Sequence, residues 1–333
     1  MGKARKLLRS KTSSLVILLL LIIAFFWIFS RNHSYLKLNN IRNILNSMVI
    51  YTLLAVGGGL LIIFGEIDLS PGYIGTAAGA MMAALLSEGG APWFAVLICC
   101  LLFGAAFGAI NAALVNELGF QSFIATLATG SFIAAGLAYI MVDGETIEIK
   151  DSVIVWIGTG KIGDVLPVTI IISLTAILIY GTVLAKTKFG RSVYLCGENR
   201  VAAHLAGLSP KKLSYILFAN SGMLGALAGV LYDARLRAGN LTGTNHYAFP
   251  SITAAILGGV ALGGGTGNMF GCFLGLLIVS SFNNGLSVMG VSPYWQSVAS
   301  GLLLLAALVL DYITSRERRP QKLTGGAAVG KNA

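Results

Sequence analysis

This chain should fold as an all-α polytopic membrane protein of about ten transmembrane helices. Of its 333 residues, 56% are hydrophobic and only 11% are charged, with a mean hydropathy of +0.82. A water-soluble domain carries about a quarter of its residues as Asp, Glu, Lys and Arg. The apolar runs are long enough for helices that cross a hydrocarbon core of roughly 30 Å, and they lack the alternation of barrel strands.

Residues 1–14 are a basic segment ahead of the run "LVILLLLIIAFFWIFS" at 15–30. That arrangement resembles a secretory signal, but no small-x-small cleavage site follows, so it is taken as the first crossing. Runs bounded by charge, Gly or Pro place the others at 47–64, 71–87, 92–115, 122–142, 166–185, 213–234, 249–264, 268–289 and 293–313. Cytoplasmic loops retain an excess of Lys and Arg. With the N-terminus inside, Lys3 to Lys11, Lys186 to Lys212 and Arg316 to Lys331 supply 16 of the 23 basic residues to the cytoplasmic side. The loop 143–165, with Asp143, Glu145, Glu148, Asp151 and Asp164 against Lys150 and Lys161, suits the outside. An even number of crossings makes both termini cytoplasmic, with 314–333 a disordered tail. The net charge of +10 is then a topology signal, and no nucleic-acid partner is needed to explain it; membrane lipid is the expected surround.

The crossings carry their packing signals. Gly75/Gly79, Gly104/Gly108, Gly225/Gly229 and Gly271/Gly275 are G-x-x-x-G pairs, which put small residues on one helix face for close backbone approach. The cysteines (Cys99, Cys100, Cys196, Cys272) have no ligand or redox spacing and read as small apolar fillers. The histidines (His33, His204, His246) lie in separate segments, which gives neither a metal site nor a catalytic centre.

The stretch "FGEIDLSPG" (64–72) places Glu66 and Asp68 between oily runs. Ionisable groups at membrane depth face protein or water and often mark a pathway. Ser70 and Pro71 read as a helix start, the Ser side chain capping and the Pro at the first helical position, with Asp68 near the positive end of the dipole. Two accounts stay open: a capped hairpin near the cytoplasmic face, or a discontinuous helix whose polar end lines a substrate path. The segment "ILGGVALGGGTGNMFG" (256–271) must bend sharply or approach another backbone closely, as a breakpoint between spans or part of a gate. Asn111, Thr126, Asn220, Asn283 and Asn284 are the other polar candidates for a hydrophilic route, alongside Glu66, Asp68 and Ser70; interhelical bonding is the competing role for each.

The soluble stretch "AKTKFGRSVYLCGENRVAAHLAGLSPKKL" (185–213) is too long for a mere connection. Asn199 can cap a short helix through "RVAAHLA", Gly207 suits the left-handed position after it, and Ser209 with Pro210 starts the next helix. Val201, Ala202, Leu205 and Ala206 then form an apolar face that a partner groove would cover; a helix resting on lipid headgroups is the alternative.

Four segments in order, "GEIDLSPG", "SFIATLATG", "FGRSVYLCGENRVAAHLAGLS" and the long run from "ITAAILGG" to "LVLD", resemble the ribose-type permeases of ABC importers over about 40–313. The resemblance implies an ABC importer permease domain at 15–313 with a cytoplasmic coupling loop at 186–212, in a bacterial plasma (inner) membrane. It implies a second permease chain, an ABC ATPase subunit docked on the loop, and an extracytoplasmic solute-binding protein delivering a monosaccharide. It also implies no catalytic site or cofactor of the chain's own, ATP and Mg being used by the partner. Gly190, Arg191, Gly197, Glu198, Asn199, Ala202, Ala203 and Gly207 fall in the ATPase-coupling segment. Two departures stand out: Glu66 and Pro71 replace the Gly and Val of the usual G-I-D-L-S-V-G signature, and "YAFPS" precedes "ITAAILGG" where an acid is common. The rival is a secondary transporter in which Glu66 or Asp68 binds a coupling proton or cation.

Overall fold

The computed structural model describes residues 11–87, 91–163 and 166–292, with 294–296, 298–303, 305, 306 and 309 beyond them. The basic residues before Lys11, Asp164 and the tail 314–333 lie outside the described residues, as does the end of the crossing expected at 293–313.

The chain runs α1 (Lys11–Phe29), α2 (Leu38–Phe64), α3 (Pro71–Ser87), α4 (Trp93–Asn116), α5 (Ser122–Ala128), α6 (Ala135–Met141), α7 (Ser152–Thr159), α8 (Val168–Lys186), α9 (Lys188–Glu198), α10 (Arg200–Leu205), α11 (Pro210–Leu236), α12 (Ala248–Leu257) and α13 (Met269–Val288). A π-helical turn, Thr129–Ala134, joins α5 to α6 into one column. Two small antiparallel ladders, Ile147–Glu148 with Ala238–Gly239 and Lys161–Ile162 with Leu166–Pro167, tie loop segments together.

Among the described residues seven helical columns are long and apolar enough to cross a membrane: α1, α2, α4, the Ser122–Met141 column, α8, α11 and α13. This is a polytopic helical membrane protein. The 17 residues of α3 make an eighth, slightly shorter rod. The full-length helix expected across 249–264 is corrected: α12 has only ten residues and ends at Leu257, a rise of about 15 Å. Gly259 (φ 104°) and the bonds Gly259 N–H to Ile256 O and Val260 N–H to Ala255 O close the helix in a Schellman-type end. The apolar letters continue past that point, but the backbone does not.

From Thr52 to Phe64 every residue of α2 is buried, as expected of a helix that is apolar all round and sits at the centre. On the other side α11 packs along α4 and α3 as well as α2. With lipid tails as apolar as the helices, association depends on close packing, and the glycine pairs supply it. A Cβ at Gly229 would overlap the Gly75 carbonyl, and one at Gly108 the Phe218 carbonyl. Gly275 meets the Ala254 carbonyl in the same way, joining α13 to α12.

Candidate functional site

Three backbone segments converge at one end of the bundle. α2 stops at Gly65, whose left-handed φ of 90° lets Gly65 N–H reach Ile62 O and Glu66 N–H reach Leu61 O. The chain then runs extended to Ser70 before α3 starts at Pro71. α9 arrives at the same place: a Cβ at Gly197 would overlap the Ile63 carbonyl and sit 2.7 Å from Gly265 N. The glycine-rich turn 258–268 completes the junction, with Gly265 N–H donating to Ile63 O at 2.8 Å and the Tyr194 hydroxyl to Gly267 O at 2.6 Å. At Gly264 and Gly265 φ is 77° and 71°, a region open to Gly without strain. The expectation of a sharp bend and close approach at 256–271 therefore holds.

Glu66 belongs to this junction. Its Oε1 accepts from Arg200 Nη2, and the Arg200 guanidinium lies 4.8 Å over the Phe64 ring, a favourable cation–π geometry. Arg200 is the first residue of α10, so the ion pair ties the segment 186–212 to the break after α2. The Glu66 side chain is 9% exposed and that of Arg200 42%, which discounts the pair for solvent screening. Glu66→Gln and Arg200→Gln should each cost about 1 kcal/mol, and the double variant should cost clearly less than their sum. Thermal denaturation of the four proteins in detergent checks this double-mutant cycle.

The break itself is a buried hydrogen-bonded cluster. Asp68 Oδ1 accepts from Ser70 N at 2.9 Å and from the Ser70 hydroxyl at 2.7 Å; Ser221 of α11 is buried beside the carboxylate. Asn111 of α4 donates to Ser70 Oγ at 2.8 Å and accepts from the Thr129 hydroxyl at 2.5 Å. The non-helical segment leans on α5: Ile67 N donates to Ser122 Oγ and Leu69 N to Thr126 Oγ1, both at 3.1 Å. The expected capping by the Ser70 side chain is corrected. Its hydroxyl is donated to Asp68, and only its carbonyl serves the helix, accepting from Ile74 N. Asp68, Ser70, Asn111 and Thr126 thus come together, all buried to 2% exposure or less. Asn220, Asn283 and Asn284 lie elsewhere: Asn220 accepts from the Tyr180 hydroxyl, Asn283 from Ser300 and Asn284 from Asn40.

In the segment 186–212 the local chemistry behaves as anticipated. Asn199 Oδ1 accepts from Ala202 N at 3.0 Å and caps α10, Gly207 takes φ 84°, and Pro210 begins α11, though the Ser209 side chain makes no capping bond. Val201 and Leu205 are 71% and 82% exposed, whereas Ala203 is buried at 4%. Ala202 and Ala206 share the open face, as do Arg191, Glu198, Asn199 and Gly207. Gly190 and Gly197 are close-approach positions, against the Leu184 and Ile63 carbonyls. Nearby, Lys211 Nζ (2.7 Å) and the Tyr215 hydroxyl (2.9 Å) donate to Glu117 after α4; these bonds, the lysine's first, hold that carboxyl below its ordinary range.

Sequence reasoning missed Arg200 as the partner of Glu66, and also Asp233, a buried carboxylate of α11 whose Oδ2 accepts from Asn240 N at 3.3 Å. Both contacts follow from the packing of distant segments or a loop return. Among the described residues no group of three His, Cys, Asp or Glu could hold a metal.

Residues 40–308 match the family described as branched-chain amino acid transport system / permease component. The chain is 34% identical over 285 residues to the ribose import permease protein RbsC of Haemophilus influenzae, covering 84% of this chain and 87% of that one. It is 33% identical over 296 residues to the D-allose transport system permease protein AlsC of Escherichia coli, covering 89% and 90%. It is 33% identical over 287 residues to the fructose import permease protein FruG of Bifidobacterium longum, covering 84% of each. With the end of α2, a glycine-rich turn and an outlying capped helix meeting at one end of a helical membrane bundle, and with this match over most of its length, the chain belongs to the branched-chain amino acid transport system / permease component family.

Proposed function

We propose that this chain is the membrane-spanning subunit of an ATP-driven importer for a monosaccharide, ribose-like or a related polar solute. Two permease chains form the pathway in a bacterial inner membrane, each with ten membrane segments and both termini in the cytoplasm. An ABC ATPase docks on the coupling loop, and an extracytoplasmic binding protein delivers the solute. ATP and Mg are bound by the ATPase, and this chain binds no cofactor and catalyses nothing. The observation that carries the proposal is the exposed apolar face of α10, Val201 and Leu205 above all, fixed by the Asn199 cap and tied by Arg200 to the broken helix.

Closure of the ATPase pair draws the α10 helices together. Each pulls on the Ile63–Gly197–Gly265 junction and so on the break at 65–70, tilting α2 and α3 between outward-open and inward-open arrangements. Arg191, Glu198, Asn199, Ala202 and Gly207 meet the ATPase; Gly190, Gly197 and Ala203 hold the segment against the bundle. Asp68, Ser70, Asn111 and Thr126 stabilise the break and border the path when it opens, and Asn220, Asn283 and Asn284 border it from α11 and α13. The ion-coupled alternative is not favoured: Glu66 is engaged by Arg200 and Asp68 by Ser70.

Reconstitution tests the proposal. Proteoliposomes holding the permease should accumulate sugar only with ATPase, ATP and loaded binding protein all present, and should keep doing so after an ionophore collapses the proton gradient. Uptake without the ATPase that vanishes with the ionophore would overturn it.

A further inference from the structure

A cavity of about 570 Å³ lies away from the junction, between α2, α12, α13 and the helical residues after 294. Tyr51, His246, Thr253, Asn283, Gln296 and Ser300 supply its polar lining. That volume is within the roughly 300–1,000 Å³ typical of small-molecule sites. Tyr51 lies against Asn283, so a phenol and an amide from two helices are held together at its wall. Thr253 of α12 adds a hydroxyl to the lining, and His246, in the turn ahead of α12, adds an imidazole.

The lining has a definite chemical character. It offers hydroxyl, amide and imidazole groups that both donate and accept, beside an aromatic ring, and among the described residues none of those lining it is Asp, Glu, Lys or Arg. A zwitterionic amino acid would leave its ammonium and carboxylate unpaired here, which is costly in a low-dielectric site. A neutral polyhydroxy compound brings no charge to leave unpaired: its hydroxyls match the mixed donors and acceptors, and its C–H face can lie on the ring. A second cavity of about 240 Å³, lined by Asn46, Ser47, Tyr232, Arg235 and Tyr247, lies nearby. Tyr247 of this cavity and Tyr51 of the larger one have ring centroids 4.8 Å apart, so the tyrosine pair stands between them.

We propose that the larger cavity is a binding site for a neutral monosaccharide within the membrane part of this chain, with Asn283 and Tyr51 as its central contacts. The proposal deepens the importer assignment and rests on it for the direction of transport, but occupancy can be tested without the ATPase. Ser300 lines the cavity and is half-buried, so Ser300→Cys in a Cys99→Ala background places a reporter there. In nanodiscs, D-ribose, D-allose or D-fructose at about 10 mM should slow maleimide labelling of that cysteine several-fold, and L-leucine should not. Asn283→Leu should abolish the protection and Asn283→Gln should restore it. In the full assembly, Asn283→Leu and the near-isosteric Thr253→Val should lower sugar moved per ATP hydrolysed about ten-fold while stimulation of hydrolysis by the loaded binding protein persists. Protection by L-leucine alone, protection by no probe, or an unchanged sugar-to-ATP ratio in both variants overturns the site. Sugar protection in a chain that binds no ATPase would keep the site and overturn the importer assignment instead.

Discussion

Val201→Asp with Leu205→Ser should abolish ATPase docking and ATP-driven uptake while leaving the permease folded. Both side chains stand in the open, 71% and 82% exposed, so little of the chain's own packing depends on them, and substitutions at such places usually change stability by no more than about 0.5 kcal/mol. The choice of residues respects the helix dipole: an aspartate near the N-terminal end of α10 is favoured and one at its C-terminal end is not. In the docked state each apolar side chain contributes about 1.5–3 kcal/mol of burial, so losing both should weaken the complex on the order of a thousand-fold. Co-purification with the ATPase measures it, with the thermal midpoint as control. Ala203→Asp makes the contrast, because that position is buried; it should unseat α10 itself. Unchanged affinity in the first variant would remove the basis of the docking proposal.

The second large effect concerns a single methyl group. Gly229→Ala should prevent α3 and α11 from packing, because the added Cβ would overlap the Gly75 carbonyl. That obstacle is backbone, not a side-chain end that can swing away, so the two helices must separate. Overpacking costs about 1–3 kcal/mol where side chains can yield, and here the upper end or more is expected, since lipid supplies no hydrophobic force to press the helices back together. A fall of the thermal midpoint by several degrees, or loss of the monodisperse peak in detergent, checks it. Gly263→Ala is the control: nothing lies within 4 Å of a Cβ at Gly263, and the substitution should be close to neutral.

What could be read from the letters was local. Asn199, Gly207 and Pro210 each act within four residues of themselves, and each takes the place its chemistry dictates. The glycine pairs were legible for the same reason, since spacing along one helix fixes a face whatever the neighbour is. Ser70 failed because its hydroxyl is used on both sides before any helix N–H reaches it: the proton goes to the Asp68 carboxylate and the oxygen accepts from the Asn111 amide. The helix expected over the whole of 249–264 came out short because hydropathy counts apolar residues without regard to where glycines release the backbone. Arg200 was invisible as a partner of Glu66 because the two are 134 positions apart. The importer assignment itself came from motif order, while the cavity of Asn283 and Tyr51 required the fold to be seen.

The shortness of α12 matters for the traveller. Ten residues cover about 15 Å, half of an ordinary hydrocarbon layer of roughly 30 Å. His246, just ahead of this half-length rod, and Thr253 within it both line the larger cavity, so under the proposed import a sugar held there would have about half that thickness still to cross. The turn at 258–268, which donates from Gly265 N–H to Ile63 O of α2 and allows no room for a Cβ at Gly197 in α9, takes up the length that α12 leaves.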